Sequence, residues 1–194
     1  MIDDVDEILM GIKESLTYSQ PVYSRNQQPM GDLYPAGVLV LLYIKGQELC
    51  VLLQKRTDKV EHHKGEISFP GGAKSSDDLD ILQTALRETQ EEMGIKCEDV
   101  EIISRLDQVT TSSGFLITPF VGIIMSRYPF EANPVEVADI LEVPISLLLE
   151  QEKVSGNLHR SIPSASYIYE VHVITGATAR ILKQLLYLID STIR

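Results

Sequence analysis

The chain has 194 residues, 44% of them hydrophobic, and its 17 Lys and Arg against 28 Asp and Glu leave a formal net charge of -11. That length suits one domain with a sizeable core, and the acidic balance excludes a protein that grips nucleic acid by neutralising phosphates with clustered cations. No apolar run approaches the roughly 20 residues that span a bilayer, Asp3, Asp4, Asp6 and Glu7 stand where a signal peptide carries positive charge, and Cys50 and Cys97 lack zinc-site or disulfide spacing; a cytoplasmic protein without a membrane partner is expected.

Val5, Ile8, Leu9, Ile12 and Leu16 recur at helical spacing and predict an amphipathic helix over residues 3–17, followed by a polar loop with Pro21, Pro29 and Pro35. Residues 1–34 thus read as a helix-and-loop extension. Ala36 to Tyr43 and Leu49 to Leu53, around a turn at Lys45-Gly46-Gln47, predict a buried hairpin. A basic stretch of Lys55, Arg56, Lys59, His62, His63 and Lys64 leads to Gly71-Gly72. The next helix is expected to start near Asp77 or Asp78, with Ile81, Leu82, Ala85, Leu86 and Met93 as its apolar stripe and Gly94 ending it. Val100 to Ile103 and Ile117 to Ile124 read as strands joined through Thr110 to Gly114, a polar loop expected to border a ligand. Ser166 to Ile174 reads as one late strand, and residues 178–189 as a helix. The order gives an α+β chain.

Opposite the apolar stripe of the central helix stand Glu88, Glu91 and Glu92, which a period of 3.6 residues gathers within one turn. Like charges that close repel, and a hard divalent cation such as Mg2+ or Mn2+ converts the repulsion into coordination. An acidic helix face is by itself usually a solvated surface. The frame around this one carries more information: a Gly71-Gly72 turn, a spacer rich in Ser and Asp, an amphipathic helix and Gly94.

From Arg87 to Ile95 the chain resembles the Nudix box, G-x5-E-x7-R-E-U-x-E-E-x-G-U with U aliphatic, except that Thr89 takes an aliphatic position. In the first half the consensus Glu and Gly fall on Leu79 and Ala73, so the spacer is one residue longer and places Asp78 and Asp80 around the Glu position. That longer spacer, Thr84-Ala85-Leu86-Arg87-Glu88, Leu52 to Thr57, His63 to Gly72, Asn133 to Val137, Val143-Pro144 and Gly176 to Leu182 are similar to the coenzyme A pyrophosphatase subfamily, over about residues 35–190.

The resemblance implies an α/β/α sandwich around a mixed sheet, a single domain over residues 1–194 and a metal site on the box helix. Glu88 and Glu92 are the expected ligands of Mg2+ or Mn2+, with Glu91 a third ligand or the base. Arg87, turned from that face, looks like an orienting partner for an acidic side chain, and Glu136 corresponds to the further glutamate this subfamily brings from a distant loop. Gly71 and Gly72 let backbone approach metal or phosphates. Arg56 is the best bidentate phosphate partner of the basic stretch, and His63 either caps a turn or joins it in binding substrate. The expected reaction is cleavage of coenzyme A, or a derivative, to 3',5'-ADP and 4'-phosphopantetheine. ADP-ribose, NADH or a nucleoside triphosphate is the alternative substrate, and a non-catalytic binding module the alternative class. The expected partner is a small nucleotide; a homodimer is left open.

Overall fold

The computed structural model describes residues 9–14, 33–59, 64–124, 128–155 and 166–193, without the side chains of 153–155, 192 and 193. Of the expected N-terminal helix, residues 9–14 (α1) are helical, with Leu9 and Ile12 buried; the remainder of that helix, the Pro21 to Pro29 loop, His62 and His63 lie outside the described residues.

The centre of the sheet is β1 (Tyr34–Lys45), which runs parallel to β7 (Phe115–Ile124) over its whole useful length, from Tyr34 opposite Phe115 to Tyr43 opposite Ile124. Its other edge is shared. Leu42 to Lys45 pair with β2 (Glu48–Arg56), whereas Ala36 to Val38 pair with β4 (Gly71–Ala73). Beyond Val51, β2 diverges from β1 and takes β3 (Ile67–Ser68) as an antiparallel partner at Gln54 and Lys55, while β8 (Val137–Pro144) runs antiparallel along it from Cys50 to Arg56. β5 (Glu101–Arg105) and β6 (Val109–Thr110) lie antiparallel to β7. The splay between β1 and β2 opens a mouth in the sheet.

The β1 core is apolar without interruption because both faces are covered, as in any sheet between helical layers. Val38, Val40 and Leu42 join Val51, Leu53, Val121 and Ile123 in a core with α1, α3 (Ile145–Ser155) and α4 (Gly176–Ile193), through Leu148, Ala179, Leu182 and Leu186. Leu39, Leu41, Tyr43 and Leu52 turn the other way and pack with Ala85 and Met93 of α2 (Ile81–Met93). The result is the α/β/α sandwich around a mixed sheet. The approach of α2 is close: a Cβ on Gly37 of β1 would stand 2.4 Å from the Ile81 carbonyl oxygen.

Three expectations need correction. The central helix begins at Ile81, not near Asp77 or Asp78, because Asp78 and Asp80 spend their side chains organising the loop and the first turn. The late strand is a hairpin of β9 (Tyr167–Tyr169) and β10 (His172–Ile174), broken at Glu170, whose positive φ of 53° no strand accommodates. α4 is also longer at both ends than the apolar pattern alone indicates.

Candidate active site

Helix α2 is held by its two ends and by the loop before it. The Asp80 side chain accepts from the Gln83 N–H at 2.8 Å, and Gly94 closes the helix in the left-handed conformation with φ 70°, donating to the Gln90 carbonyl at 3.0 Å. Within the spacer, buried Asp78 accepts from the Ser75 N–H at 2.9 Å and from the Thr84 hydroxyl at 2.8 Å. It also takes both arms of Arg87, Nε at 2.9 Å and Nη2 at 3.0 Å. The guanidinium, with the Ser75 N–H behind it, holds the Asp78 carboxyl well below the usual carboxylate range. Arg87 Nη1 is left to reach Glu88 at 2.8 Å and Glu91 at 3.1 Å along the helix.

Glu92 is 1% exposed, and its two oxygens have separate partners: Oε2 accepts from the Gly71 N–H at 2.9 Å, and Oε1 faces Arg56 Nη1 at 3.2 Å. Burial pushes this carboxyl up to about 7, and the Gly71 N–H, the neighbouring Gln54 carboxamide and the Arg56 charge pull it back only in part. Glu88 lies against Gly72, where a Cβ would stand 2.6 Å from its carboxyl carbon and 2.7 and 2.9 Å from its oxygens. Desolvation also raises the Glu88 pKa despite the pull of Arg87, and the charges of Glu91 and Glu136 add to the rise. Glu136 comes from the segment before β8. That segment is pinned at both sides, Asn133 N–H donating to the Glu92 carbonyl at 2.8 Å and Thr57 N–H to the Glu136 carbonyl at 2.9 Å.

The splay of β1 and β2 leaves a cavity of about 700 Å3, and Arg56, Gly71, Gly72, Glu88, Glu92 and Glu136 all line it. So do Thr111 and Ser112 of the polar loop. Glu91 and Arg87 are not part of the lining; the Glu91 side chain is 56% exposed and turned along the helix to Arg87. His63 lies outside the described residues. Among the described residues no three His, Cys, Asp or Glu side chains converge as a metal-holding set, Arg87 and Arg56 engaging Glu88 and Glu92 instead.

Residues 33–152, most of the sheet together with α2, match the family model described as the NUDIX domain. The chain belongs to the Nudix family. It is 36% identical over 154 residues to the proteins named uncharacterized Nudix hydrolase NudL from Yersinia pestis and Yersinia pseudotuberculosis, with 77% of each chain covered. Its fold is similar to that of a Caenorhabditis elegans Ap4A hydrolase (TM-score 0.54, 14% identity, 84% of this chain and all of that one). It is similar as well to that of a MutT/nudix family protein from Enterococcus faecalis (TM-score 0.54, 14% identity, 92% of this chain and 73% of that one).

Both departures from the common Nudix box have a structural reason here. Thr89 replaces an aliphatic residue in the α2 core contact and is 1% exposed; its hydroxyl is satisfied by the Ala85 carbonyl one turn back, at 2.7 Å. The longer spacer folds around Asp78, which supplies the acidic partner of Arg87. Sequence reading missed Asp78 as part of the site, although an Asp near the vacant Glu position was the signal. It also missed Glu66, Ser68, Thr178 and Arg180 in the cavity wall, since short strands and the far end of the chain give no local sign of meeting the Nudix helix.

Proposed function

We propose that this Nudix hydrolase cleaves the diphosphate of a nucleotide derivative with Mg2+ or Mn2+, and that coenzyme A is the substrate. One observation carries the reaction class: Glu88, Glu92 and Glu136 line a single cavity with Arg56 and the Gly71-Gly72 turn. Their chemistry fits a hard divalent cation, with desolvated carboxylates whose pKa values are raised and a glycine at the one place where a Cβ would meet Glu88. Glu88 and Glu92 would hold the ion, in competition with Arg87 and Arg56 for the same oxygens. Bound there, it would neutralise the diphosphate.

The chain's own groups supply the rest. Arg56 adds a positive charge at the Glu92 end, and the Gly71-Gly72 backbone lets the diphosphate come close without a side chain in the way. Glu136, facing the same space from an independent segment, takes the proton of a water that attacks one phosphorus in line, and the other phosphate leaves with the P–O bond electrons. Arg87, locked by Asp78, sets the pitch at which Glu88 is presented. The Ser68 hydroxyl and Arg56 Nε are buried beside the cavity without a hydrogen-bond partner among the described residues, as expected of a wall completed by a polar ligand.

Coenzyme A is supported by the residues that resemble the subfamily: Leu52 to Arg56 form the end of β2 and Glu66 to Gly72 form β3, β4 and their link, so that motif borders the cavity. Hydrolysis is tested across coenzyme A, ADP-ribose, NADH, deoxynucleoside triphosphates and, because one fold neighbour is an Ap4A hydrolase, Ap4A. Coenzyme A should lead in kcat/KM by at least about tenfold, or about 1.4 kcal/mol, releasing 3',5'-ADP and 4'-phosphopantetheine. Faster turnover of any other member overturns the coenzyme A choice, and no metal-dependent turnover of any member overturns the reaction class.

A further inference from the structure

The cavity that holds the carboxylates is charged differently where α4 meets it. Arg180 lines the same space as Glu88 and Glu92 but comes from the helix on the opposite face of the sheet. Thr178 ties the start of α4 to β3, its hydroxyl donating to the Ile67 carbonyl at 3.0 Å, and an Arg180 Nη2 donates to the Thr110 carbonyl of β6. These two anchors hold the first turns of α4 across the mouth between β3 and β6. Arg56, the other arginine of the lining, is engaged by Glu92. Arg180 has no carboxylate partner among the described residues: its one hydrogen bond is to a neutral carbonyl, which leaves most of a five-donor fork for another acceptor. In a chain of net charge -11, a partly desolvated guanidinium without a carboxylate is an unusual allocation of positive charge.

Resting on the proposed reading of the carboxylate end as the diphosphate site, we propose that Arg180 is a specificity-determining residue that receives a phosphate monoester carried by the substrate away from its scissile diphosphate. The geometry supports a second anionic contact rather than a second grip on the same one. Arg56 stands at the end of β2, engaged by Glu92, whereas Arg180 comes from α4 on the face opposite α2 and is tied to β6, so a diphosphate bound beside Arg56 through a cation on Glu88 and Glu92 leaves Arg180 for another part of the ligand. Thr111 and Ser112, beside the Thr110 carbonyl that orients Arg180, add hydroxyls to this end of the lining. Planar forked donors suit a terminal phosphate, which offers two oxygens at once.

Two isomers of one nucleotide separate the positions. 3',5'-ADP and 5'-ADP carry the same base and the same number of phosphates, but only the first bears a phosphate monoester remote from the 5' chain. Titration calorimetry in EDTA, which removes any metal contribution to either, should give tighter binding of 3',5'-ADP to the unaltered protein. Arg180→Gln should weaken 3',5'-ADP by at least about tenfold and 5'-ADP by less than about twofold, the loss expected for one charge-assisted pair. Arg180→Lys, which keeps the charge and the tether but not the fork, should fall between. Equal weakening of both isomers by either variant, together with a lowered Tm, would identify Arg180 as a tie between α4 and β6 only and overturn the proposal. A selective loss of 5'-ADP would overturn it too, placing Arg180 on the chain phosphates. Turnover of coenzyme A is scored separately: a protein that prefers 3',5'-ADP through Arg180 but spares coenzyme A keeps this inference and loses the substrate reading.

Discussion

Replacing Glu92 by Gln probes the most deeply buried carboxylate of the site through stability as well as rate. Folding carries this group from its ordinary pKa of 4.5 to about 7, so over that interval the folded chain keeps a proton that the unfolded chain releases. A raised acid contributes stability that is complete below about 4.5 and is lost as pH rises through 7. The rise corresponds to roughly 3 kcal/mol at alkaline pH. Gln cannot ionise, keeps an oxygen for the Gly71 N–H and fills the same volume. In EDTA, urea denaturation should therefore find Glu92→Gln more stable than the parent at pH 8 by up to roughly 3 kcal/mol, with the advantage shrinking toward zero at pH 5. Its metal-dependent turnover should fall by at least about 100-fold, a few kcal/mol of barrier. A variant less stable than the parent at pH 8, or with an advantage that does not depend on pH, would refute the burial argument; unchanged turnover would remove Glu92 from the metal site.

Gly72→Ala should leave the urea midpoint close to that of the parent, because its Cβ would meet only the end of the Glu88 side chain, while lowering kcat/KM by at least about 100-fold as that carboxylate is displaced. Gly71→Ala is expected to behave oppositely: at φ 143° its Cβ would stand 2.3 Å from the Gly37 carbonyl oxygen, so expression and Tm should suffer before any kinetic effect can be read. Asp78→Asn should lower Tm at neutral pH, and thermal scans from pH 7 to pH 2 should show the gap closing as the parent falls below the ordinary carboxylate pKa of 3.8, because a depressed acid gives stability above that value and loses it with acid. Thr89→Val should raise Tm by about 2–4 °C, the expected return of about 1 kcal/mol for an apolar group at a buried position in a chain of this size; a drop would show that the hydroxyl bond to Ala85 matters more than the desolvation.

The parts written in the sequence are those whose periodicity is local. Ile81, Ala85 and Met93 mark one face of α2 and Glu88 and Glu92 another, so the helix and its charge are readable from spacing. What spacing cannot separate is Glu91 from Glu92, adjacent residues of one type. Only the approach of Gly71 and Arg56, brought from the other side of the sheet mouth, buries the second and leaves the first in solvent. The strands β3, β4 and β6 have two or three residues each, too few to show an alternation. Glu170 turns the β9–β10 hairpin with a residue type that carries no turn signal. Arg180 sits in a segment that resembles the subfamily, yet its place in the cavity follows from α4 crossing to β6, which is a property of the packed layers.

Delivery from opposite faces also makes the two ends of the cavity separable under selection. A change on α4 can alter what is recognised while Gly71, Gly72 and α2 go on presenting the same carboxylates, because Arg180 shares no hydrogen-bond or ion-pair partner with Glu88 or Glu92 among the described residues. Drift at one helix then samples new ligands at little risk to the reaction encoded in the other, a physical route by which a single hydrolytic scaffold can spread over many metabolites.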